Sequence, residues 1–217
     1  MISILMPIYN GIEFIDESVC SIINQTFQEW ELIIGVNGHE TNSQIYQIAK
    51  KYESKDTRIN VYDLIDIKGK SNALNYMLKY TNYNWISLLD VDDVWLRDKL
   101  LLQVPYMDKY DIIGTQCEYF GDKTGSPKIP IGDITGYNFL LSNPVINSSC
   151  LLRKELCYWD KDCIVEDYDL WIRLWKNRNK FYNIDKILVK HRIHQQSAFN
   201  SKGNHIGVPT LIKKYSN

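Results

Sequence analysis

The sequence has no excess of positive charge and no long apolar run. Its 25 Lys and Arg side chains are balanced by 26 Asp and Glu, which leaves a formal net charge of −1. Because proteins hold the phosphate backbone of nucleic acids with an excess of Lys and Arg, we expect no nucleic-acid partner. The apolar runs are only a handful of residues long, whereas a membrane-spanning helix needs about 20. We therefore expect no transmembrane segment.

Cysteine is also scarce. The five cysteines are an odd number, scattered along the chain without a Cys-x-x-Cys pair. This pattern indicates reduced thiols and argues against a disulfide framework or a zinc site. The first residues, MISILMPIYNG, lack the basic segment of a secretory signal. Together these absences predict a cytoplasmic protein.

What is present is a regular alternation of predicted strands and helices in the first half. Apolar runs predict buried strands at 2–8, 31–36, 58–64 and 85–89, and helical spacing predicts helices at 41–52 and 69–80. Such alternation implies a parallel sheet covered by helices on both faces. Ligands bind beyond the carboxyl ends of such strands, so Tyr9, Asn10, Asn37 and the acidic cluster at 90–93 are the first candidates for a site.

The second half is less regular. We predict a strand at 111–115, an extended segment at 144–152, a helix at 166–177 and a late strand at 187–193. Residues 197–217 are polar, which predicts a mobile tail. No linker is long enough to divide the 217 residues, of which 45% are apolar, so we expect a single domain.

The acidic turn LLDVDDVW is the most informative string. Asp90, Asp92 and Asp93 follow a predicted buried strand, and clustered carboxylates repel one another unless a cation neutralises them. Mg²⁺ and Mn²⁺ favour such oxygen ligands and share them with phosphate. The alternative is a solvated turn that caps the next helix.

Two known motifs fit this turn. In phosphatases of the haloacid dehalogenase superfamily, Asp90 would be the nucleophile and Asp92 the acid/base. In sugar-nucleotide glycosyltransferases the same string would be a DxD turn. The phosphatase motif normally lies on the first strand of its fold, whereas this turn follows three strand–helix units, which favours the second interpretation.

Five strings, in order, resemble the family-2 glycosyltransferases of the GT-A fold across nearly the whole chain. They are MPIYNGIEFIDESVCSIINQTFQEWELIIGVNG, GKSNALNYMLKYTNYNWISLLDVDD, NPVINSSCLLRKEL, VEDYDLWIRLW and HRIHQQS. The resemblance implies an α/β, Rossmann-like GT-A fold with a mostly parallel central sheet and helices on both faces. It also implies a nucleotide-binding half at about 1–95, an acceptor-binding half at about 96–200 and a tail at 201–217.

The resemblance assigns the donor-binding residues. It places Pro7, Tyr9 and Asn10 against the base and ribose. Asn37 stands where the family usually has an Asp that binds uracil, and its amide oxygen can still accept a hydrogen bond. It further implies that Lys70 reaches the diphosphate, that Asp90 lies near the ribose and base, and that Asp92 lies at the diphosphate.

The resemblance also assigns a metal site and a base. Asp92 becomes the main ligand of Mn²⁺ or Mg²⁺, Asp93 a second ligand or its support, and His194 a further ligand. Arg192 and Ser197 flank His194 in the matching string. Asp167 would be the general base, with Glu166 as its neighbour and substitute, although acidic residues here also compensate the helix dipole. An i,i+4 pair between Asp169 and Arg173 accounts for Asp169 without catalysis.

The expected activity is metal-dependent, inverting transfer of a sugar from a UDP-sugar to a hydroxyl of a glycan, protein or lipid acceptor. Trp95 and Trp159 could stack on a sugar face. Three alternatives stay open: the phosphatase, a nucleotidyltransferase that would need a Gly-rich loop absent from PIYNGIEF, and a non-catalytic sugar-nucleotide or glycan-binding module. Any membrane attachment is expected to be peripheral.

Overall fold

The computed structural model describes residues 1–195 and 202–216, without the side chains of residues 202–205. Ser197, which the sequence motif associates with His194, lies outside the described residues. None of the described helices is both long and apolar enough to cross a membrane.

Four parallel strands form the first half of the sheet, in the spatial order β3-β2-β1-β4. They are β1 (Ile2–Ile8), β2 (Trp30–Asn37), β3 (Ile59–Leu64) and β4 (Trp85–Leu88). The helices between them are α1 (Ile15–Ile23), α2 (Gln44–Lys50) and α3 (Lys70–Met77). The predicted strand–helix alternation is confirmed, with boundaries shifted by a few residues.

The second half of the sheet is mixed. Its strands are β5 (Val94–Trp95), β6 (Ile112–Gly121), β7 (Gly132–Asp133), β8 (Leu151–Arg153) and β9 (Phe181–Ile193). Strand β8 lies antiparallel between β4 and β6, whereas β6 and β9 run parallel. The predicted extended segment at 144–152 is mostly irregular, with a 3-10 turn at Asn147–Ser149 before β8.

Helices cover both faces of this sheet, as predicted. Ile4 and Met6 of β1 join one apolar core with Val19 of α1. Leu5 points to the opposite face and joins a second core with Trp171 of helix α5 (Glu166–Lys176). Since successive strand residues face opposite sides, a strand buried on both faces must be apolar throughout. The short helix α4 (Lys99–Gln103) follows β5.

The C-terminal segment differs from the predicted mobile tail, because Lys202–Tyr215 form helix α6. Leu211 is buried there. Lys214 Nζ lies 3.0 Å from Asp169 Oδ1, and the Tyr215 hydroxyl donates to the same oxygen at 2.8 Å. Asp169 is fully buried, and a buried carboxylate needs such partners. The predicted pair with Arg173 is confirmed, with 2.8 Å between Nε and Asp169 Oδ2.

Candidate active site

Two adjacent cavities lie at the carboxyl edge of the parallel strands. The first has a volume of about 640 Å³ and the second about 460 Å³. Lys70, Asp90 and His191 line both of them. The two cavities therefore meet at these three side chains, in a single cleft where a ligand in one can contact a ligand in the other.

The first cavity collects the predicted donor-binding residues. All seven line it, namely Pro7, Tyr9, Asn10, Asn37, Lys70, Asp90 and Asp92. They reach it from the ends of β1 and β2, from the loops after β1 and β4, and from the start of α3. The Tyr9 ring is exposed and stacks on the His39 ring, with 5.0 Å between centroids, and His39 Nε2 lies 2.7 Å from the Tyr9 carbonyl oxygen. This contact holds the loop after β1 against the loop after β2.

Lys70 stands on the boundary between the cavities. Its Nζ lies 2.6 Å from Asp90 Oδ1 and 3.5 Å from Glu166 Oε1. Burial by itself would lower the pKa of Lys70, but the Asp90 and Glu166 carboxylates raise it well above its ordinary value. The preceding Gly69 has φ of 85°, and nothing lies within 4 Å of the position a Cβ would take. The start of α3 is therefore open to a ligand beside a permanent positive charge.

Asp90 is held by the acceptor half of the chain. Asn147 Nδ2 donates to Asp90 Oδ2 at 3.0 Å, and the Asp90 amide donates to Ser148 Oγ at 3.1 Å. Burial opposes ionisation of Asp90, but Lys70 and Asn147 hold its pKa below the ordinary range. Asp90 is thus an ionised hydrogen-bond acceptor in a fixed position.

Asp92 faces the first cavity together with His194. Asp92 Oδ2 lies 3.1 Å from His194 Nε2, and both side chains are partly exposed. Burial raises the pKa of Asp92, and the nearby carboxylates of Asp93 and Asp90 raise it further. A carboxylate oxygen and an imidazole nitrogen, both of which can ligate a metal ion, therefore lie together where negative charge is concentrated.

Asp93 has different surroundings. It is buried, and His191 Nδ1 lies 3.0 and 3.1 Å from its two carboxylate oxygens. The Arg192 amide also donates to Asp93 Oδ1 at 2.9 Å. Burial would lower the pKa of His191, but Asp93 raises it to about 9. Of the two roles predicted for Asp93, these contacts favour support of the turn.

The residues fit a metal ion that shares its ligands with a substrate. Within residues 1–195 and 202–216, no three His, Cys, Asp or Glu side chains form a cluster that could hold a metal ion. Asp92 and His194 nevertheless offer two donors in the first cavity. Mg²⁺ is commonly bound by one or two protein ligands plus phosphate oxygens and water. This donor set fits that arrangement.

The second cavity contains the predicted base. Glu166 and Asp167 begin α5 and line the cavity. Burial raises the pKa of Asp167 to about 6, and the Glu166 carboxylate contributes to the increase. Asn143 Nδ2 donates to Asp167 Oδ2 at 3.3 Å. A carboxyl group with this pKa can accept a proton near neutral pH.

Some functional residues were missed and two tryptophans were wrongly predicted. His191, Asn143 and Asn147 were not singled out, although all three lie in the strings HRIHQQS and NPVINSSCLLRKEL. Trp95 and Trp159 are buried, so the prediction that they stack on a sugar is wrong. The Trp95 indole instead donates to the Ser148 carbonyl at 2.7 Å and supports the loop that holds Asp90.

A mostly parallel sheet with this cleft at its carboxyl edge is the architecture of a GT-A glycosyltransferase. The chain belongs to glycosyl transferase family 2, whose family model matches residues 3–154. It is therefore a glycosyltransferase, and the predicted class and fold are confirmed.

Two relatives from Escherichia coli are each 30% identical to this chain over 212 residues. One is the UDP-Glc:alpha-D-GlcNAc-diphosphoundecaprenol beta-1,3-glucosyltransferase WfgD, matched over 93% of this chain and 81% of its own length. The other is the O-antigen biosynthesis glycosyltransferase WbnJ, matched over 93% and 83%.

Solved structures share the fold. TarS of S. aureus in complex with UDP-GlcNAc has a TM-score of 0.76 at 20% identity, covering 92% of this chain and 60% of TarS. The mannosyltransferase PcManGT from Pyrobaculum calidifontis, in complex with GDP-Man and Mn²⁺, has a TM-score of 0.70 at 12% identity, covering 90% and 58%. This chain thus spans about 60% of the length of the solved chains.

Proposed function

We propose that this glycosyltransferase transfers a sugar from a UDP-sugar to an acceptor hydroxyl, with a divalent metal ion and with inversion at the anomeric carbon. The observation that carries the proposal is the pair of cavities that meet at Lys70, Asp90 and His191. Asp92 lines the first and Asp167 the second, so donor and acceptor can bind side by side.

The donor occupies the first cavity. Pro7 at the end of β1 and Tyr9 and Asn10 in the following loop contact the base and ribose. The Asn37 side chain carries both an acceptor and a donor, and its oxygen accepts the uracil N3–H. Relatives support uracil as the base, since WfgD is named for UDP-Glc and TarS was solved with UDP-GlcNAc.

Asp92 and His194 would hold Mn²⁺ or Mg²⁺ together with oxygens of the diphosphate. When bound, the ion would neutralise the charge that grows on the departing nucleoside diphosphate. The His nitrogen favours Mn²⁺, and the relative PcManGT was solved with Mn²⁺. Asp93 is bonded to His191 and supports the turn.

In the reaction, Asp167 takes the proton of the acceptor hydroxyl as its oxygen attacks the anomeric carbon. The new oxygen–carbon bond forms while the bond from that carbon to the diphosphate oxygen breaks, and the electron pair leaves with the diphosphate. Lys70 lies beside the leaving group and stabilises its negative charge. A single displacement on an α-linked donor gives a β-linked product without a covalent intermediate, and Glu166 is the substitute base.

A thermal-shift experiment with nucleoside diphosphates tests the donor. UDP at a hundred times its dissociation constant adds about 2.7 kcal/mol to the free energy of unfolding. We expect UDP to raise the melting temperature more than ADP, GDP or CDP, and more with Mn²⁺ than without. Stabilisation by another diphosphate alone would contradict the choice of base.

The alternatives give different results. A haloacid-dehalogenase-type phosphatase would hydrolyse p-nitrophenyl phosphate and form a phosphoryl adduct on Asp90, and we expect neither. A non-catalytic binding module would be stabilised by UDP but would release no UDP from any UDP-sugar in the presence of a broad acceptor panel. The family match favours the transferase over both.

The acceptor is a hydroxyl of a glycan, protein or lipid. The name of WfgD specifies alpha-D-GlcNAc-diphosphoundecaprenol as the acceptor. We propose a cytoplasmic enzyme that reaches such an acceptor by peripheral contact with the membrane. Sedimentation with liposomes measures this contact.

A further inference from the structure

Lys99, at the start of α4, is a fully buried lysine that the proposed mechanism does not use. Its Nζ lies 2.8 Å from Gln103 Oε1, 3.2 Å from Ser87 Oγ and 3.8 Å from the centroid of the Trp95 ring. No carboxylate in the described part of the chain pairs with it, and burial lowers its pKa to about 7. An amine is therefore costly here, whereas an aliphatic side chain of similar length would fill the space without that cost.

The three side chains that Lys99 contacts hold the turn at Asn147–Ser149 and the residue after it. Each donates to one of three consecutive backbone carbonyls: Trp95 to Ser148 at 2.7 Å, Gln103 to Ser149 at 2.9 Å and Ser87 to Cys150 at 2.6 Å. Buried backbone carbonyls need such partners. The surroundings of Lys99 are thus the surroundings of this turn.

The amine fixes the orientation of two of these donors. Gln103 Nε2 donates to the carbonyls of Ser149 and Ile113, so the amide oxygen of Gln103 must face Lys99. Similarly, the Ser87 oxygen accepts from Lys99 and its hydrogen points to the backbone that follows the turn. Without the amine, both oxygens would lose this donor in a fully buried position, and the Gln103 amide would lose the contact that fixes its orientation.

The same turn holds Asp90. Asn147 Nδ2 donates to Asp90 Oδ2 at 3.0 Å, and the Asp90 amide donates to Ser148 Oγ at 3.1 Å. Asp90 also pairs with Lys70 where the two cavities meet. A displaced turn would therefore displace the carboxylate that orients Lys70, although Lys99 itself lines neither of these two cavities.

We propose that Lys99 is a positioning residue, which acts through the turn at Asn147–Ser149 to hold Asp90 in place for the donor. This inference rests on the proposed function, because it concerns donor binding in the first cavity. Lys99 contacts no substrate. Its effect reaches the donor only through the side chains that hold the turn and through the bonds from the turn to Asp90.

A double-mutant cycle on UDP affinity tests this path, by calorimetry on the full chain with Mn²⁺. Lys99→Met keeps a long side chain and removes the amine, and Asn147→Ala removes one bond from the turn to Asp90. Each should weaken UDP binding by about threefold or more, as residues of one network do when they are coupled. Because both act through the same turn, the double variant should lose less affinity than the product of the two factors.

Ser3→Ala is the matched control for a general loss of stability. Ser3 is fully buried, and its hydroxyl donates to Glu31 Oε1 at 2.6 Å near the amino end of β1, away from the cavities. This variant should unfold at lower urea concentration but bind UDP as the unmutated protein does. If Lys99→Met does not fold, Ser87→Ala replaces it in the cycle, because it removes one contact of the amine and one donor to the backbone after the turn.

Amide hydrogen exchange of residues 144–152 gives a readout that needs no ligand. The Ser149 amide donates to the Ile146 carbonyl at 2.9 Å within the turn. Relative to the rest of the chain, this segment should exchange faster in Lys99→Met and at an unchanged rate in Ser3→Ala.

Several results would overturn the inference. They are an unchanged UDP affinity in Lys99→Met, effects that multiply in full in the double variant, and an equal loss of affinity in Ser3→Ala. If the unmutated protein binds no UDP, the donor assignment fails, and hydrogen exchange then decides whether Lys99 holds the turn. Unchanged exchange of residues 144–152 in Lys99→Met would defeat the positioning role whatever the donor is.

Discussion

Lys70 Nζ lies 2.6 Å from Asp90 Oδ1, although the two residues belong to different strand–helix units. Asp90 is also bonded to Asn147 from the acceptor half of the chain. Lys70 in turn faces Glu166 at 3.5 Å. One ion pair thus joins the first cavity to the second cavity, which contains Asp167. A substitution at Lys70 should therefore change ligand binding in both cavities.

The first prediction concerns Lys70→Met. Hydrogen bonds to charged groups contribute about 1.5–3 kcal/mol, so loss of the ammonium should weaken UDP binding roughly tenfold or more in titration calorimetry with Mn²⁺. Lys79→Met is the control, because Lys79 is exposed and lines neither of these two cavities. Unchanged UDP affinity in Lys70→Met would show that Lys70 does not contact the diphosphate.

The second prediction concerns the base. Asp167→Asn should lower kcat by about 10²–10⁴, the usual contribution of a general base, while the UDP-induced thermal shift stays the same. Asp162→Asn, at an exposed carboxylate in the loop before α5, should keep full activity. If Asp167→Asn retains activity and Glu166→Gln loses it, then Glu166 is the base.

The third prediction is the pH dependence of activity. The pKa of Asp167 is about 6, and the base works only when ionised. We therefore expect kcat/KM to fall as the pH drops through about 6. Because Glu166 raises this pKa, Glu166→Gln should shift the fall of kcat/KM at acidic pH, the acidic limb of the profile, to lower pH. A limb that stays in place in Glu166→Gln would contradict the assignment to Asp167.

The same pKa has a consequence for stability. A folded-state pKa of about 6 lies above the unfolded value of roughly 3.9, so ionising Asp167 costs free energy as the pH rises between these two values. Asp167→Asn removes this cost. It should raise the free energy of unfolding by about 3 kcal/mol at pH 7 and by well under 1 kcal/mol at pH 4. Urea denaturation at both pH values measures the difference, and equal effects at both would be inconsistent with a raised pKa.

The fifth prediction distinguishes the metal-binding role proposed for Asp92 from the structural role proposed for Asp93. Asp92→Asn and His194→Ala should weaken the increment that Mn²⁺ adds to the UDP-induced thermal shift, with little loss of stability. His191→Leu leaves the Asp93 carboxylate buried without that partner, which should cost about 3 kcal/mol of unfolding free energy. Lys190→Met is the control on the same strand, since its exposed pair with Glu118 contributes at most about 1 kcal/mol. Loss of the Mn²⁺ increment in Asp93→Asn with normal stability would make Asp93 a metal ligand.

Much of the donor side could be predicted from the sequence because it depends on local pattern. Strands β1 to β4 are short apolar runs, and their polar ends must meet at one edge of a parallel sheet. Tyr9, Asn37 and Asp90 therefore came together as expected. Helix α6 could not be predicted in this way. Lys214 and Tyr215 hold it through hydrogen bonds to Asp169 of α5, and Leu211 is buried. Its position therefore depends on residues that lie far earlier in the chain.

The sequence by itself determined the strand–helix alternation of the first half, the acidic turn after β4 and the acidic start of α5, since each follows from residues near one another in the chain. Only the tertiary structure decided that Asp92 faces a cavity while its neighbour Asp93 is buried against His191. The reason is physical: the two residues lie in a turn that a hydrogen bond from the Asp93 amide to the Asp90 carbonyl closes at 3.0 Å, and the His partners of both carboxylates come from the end of the chain segment around β9, about 100 residues away.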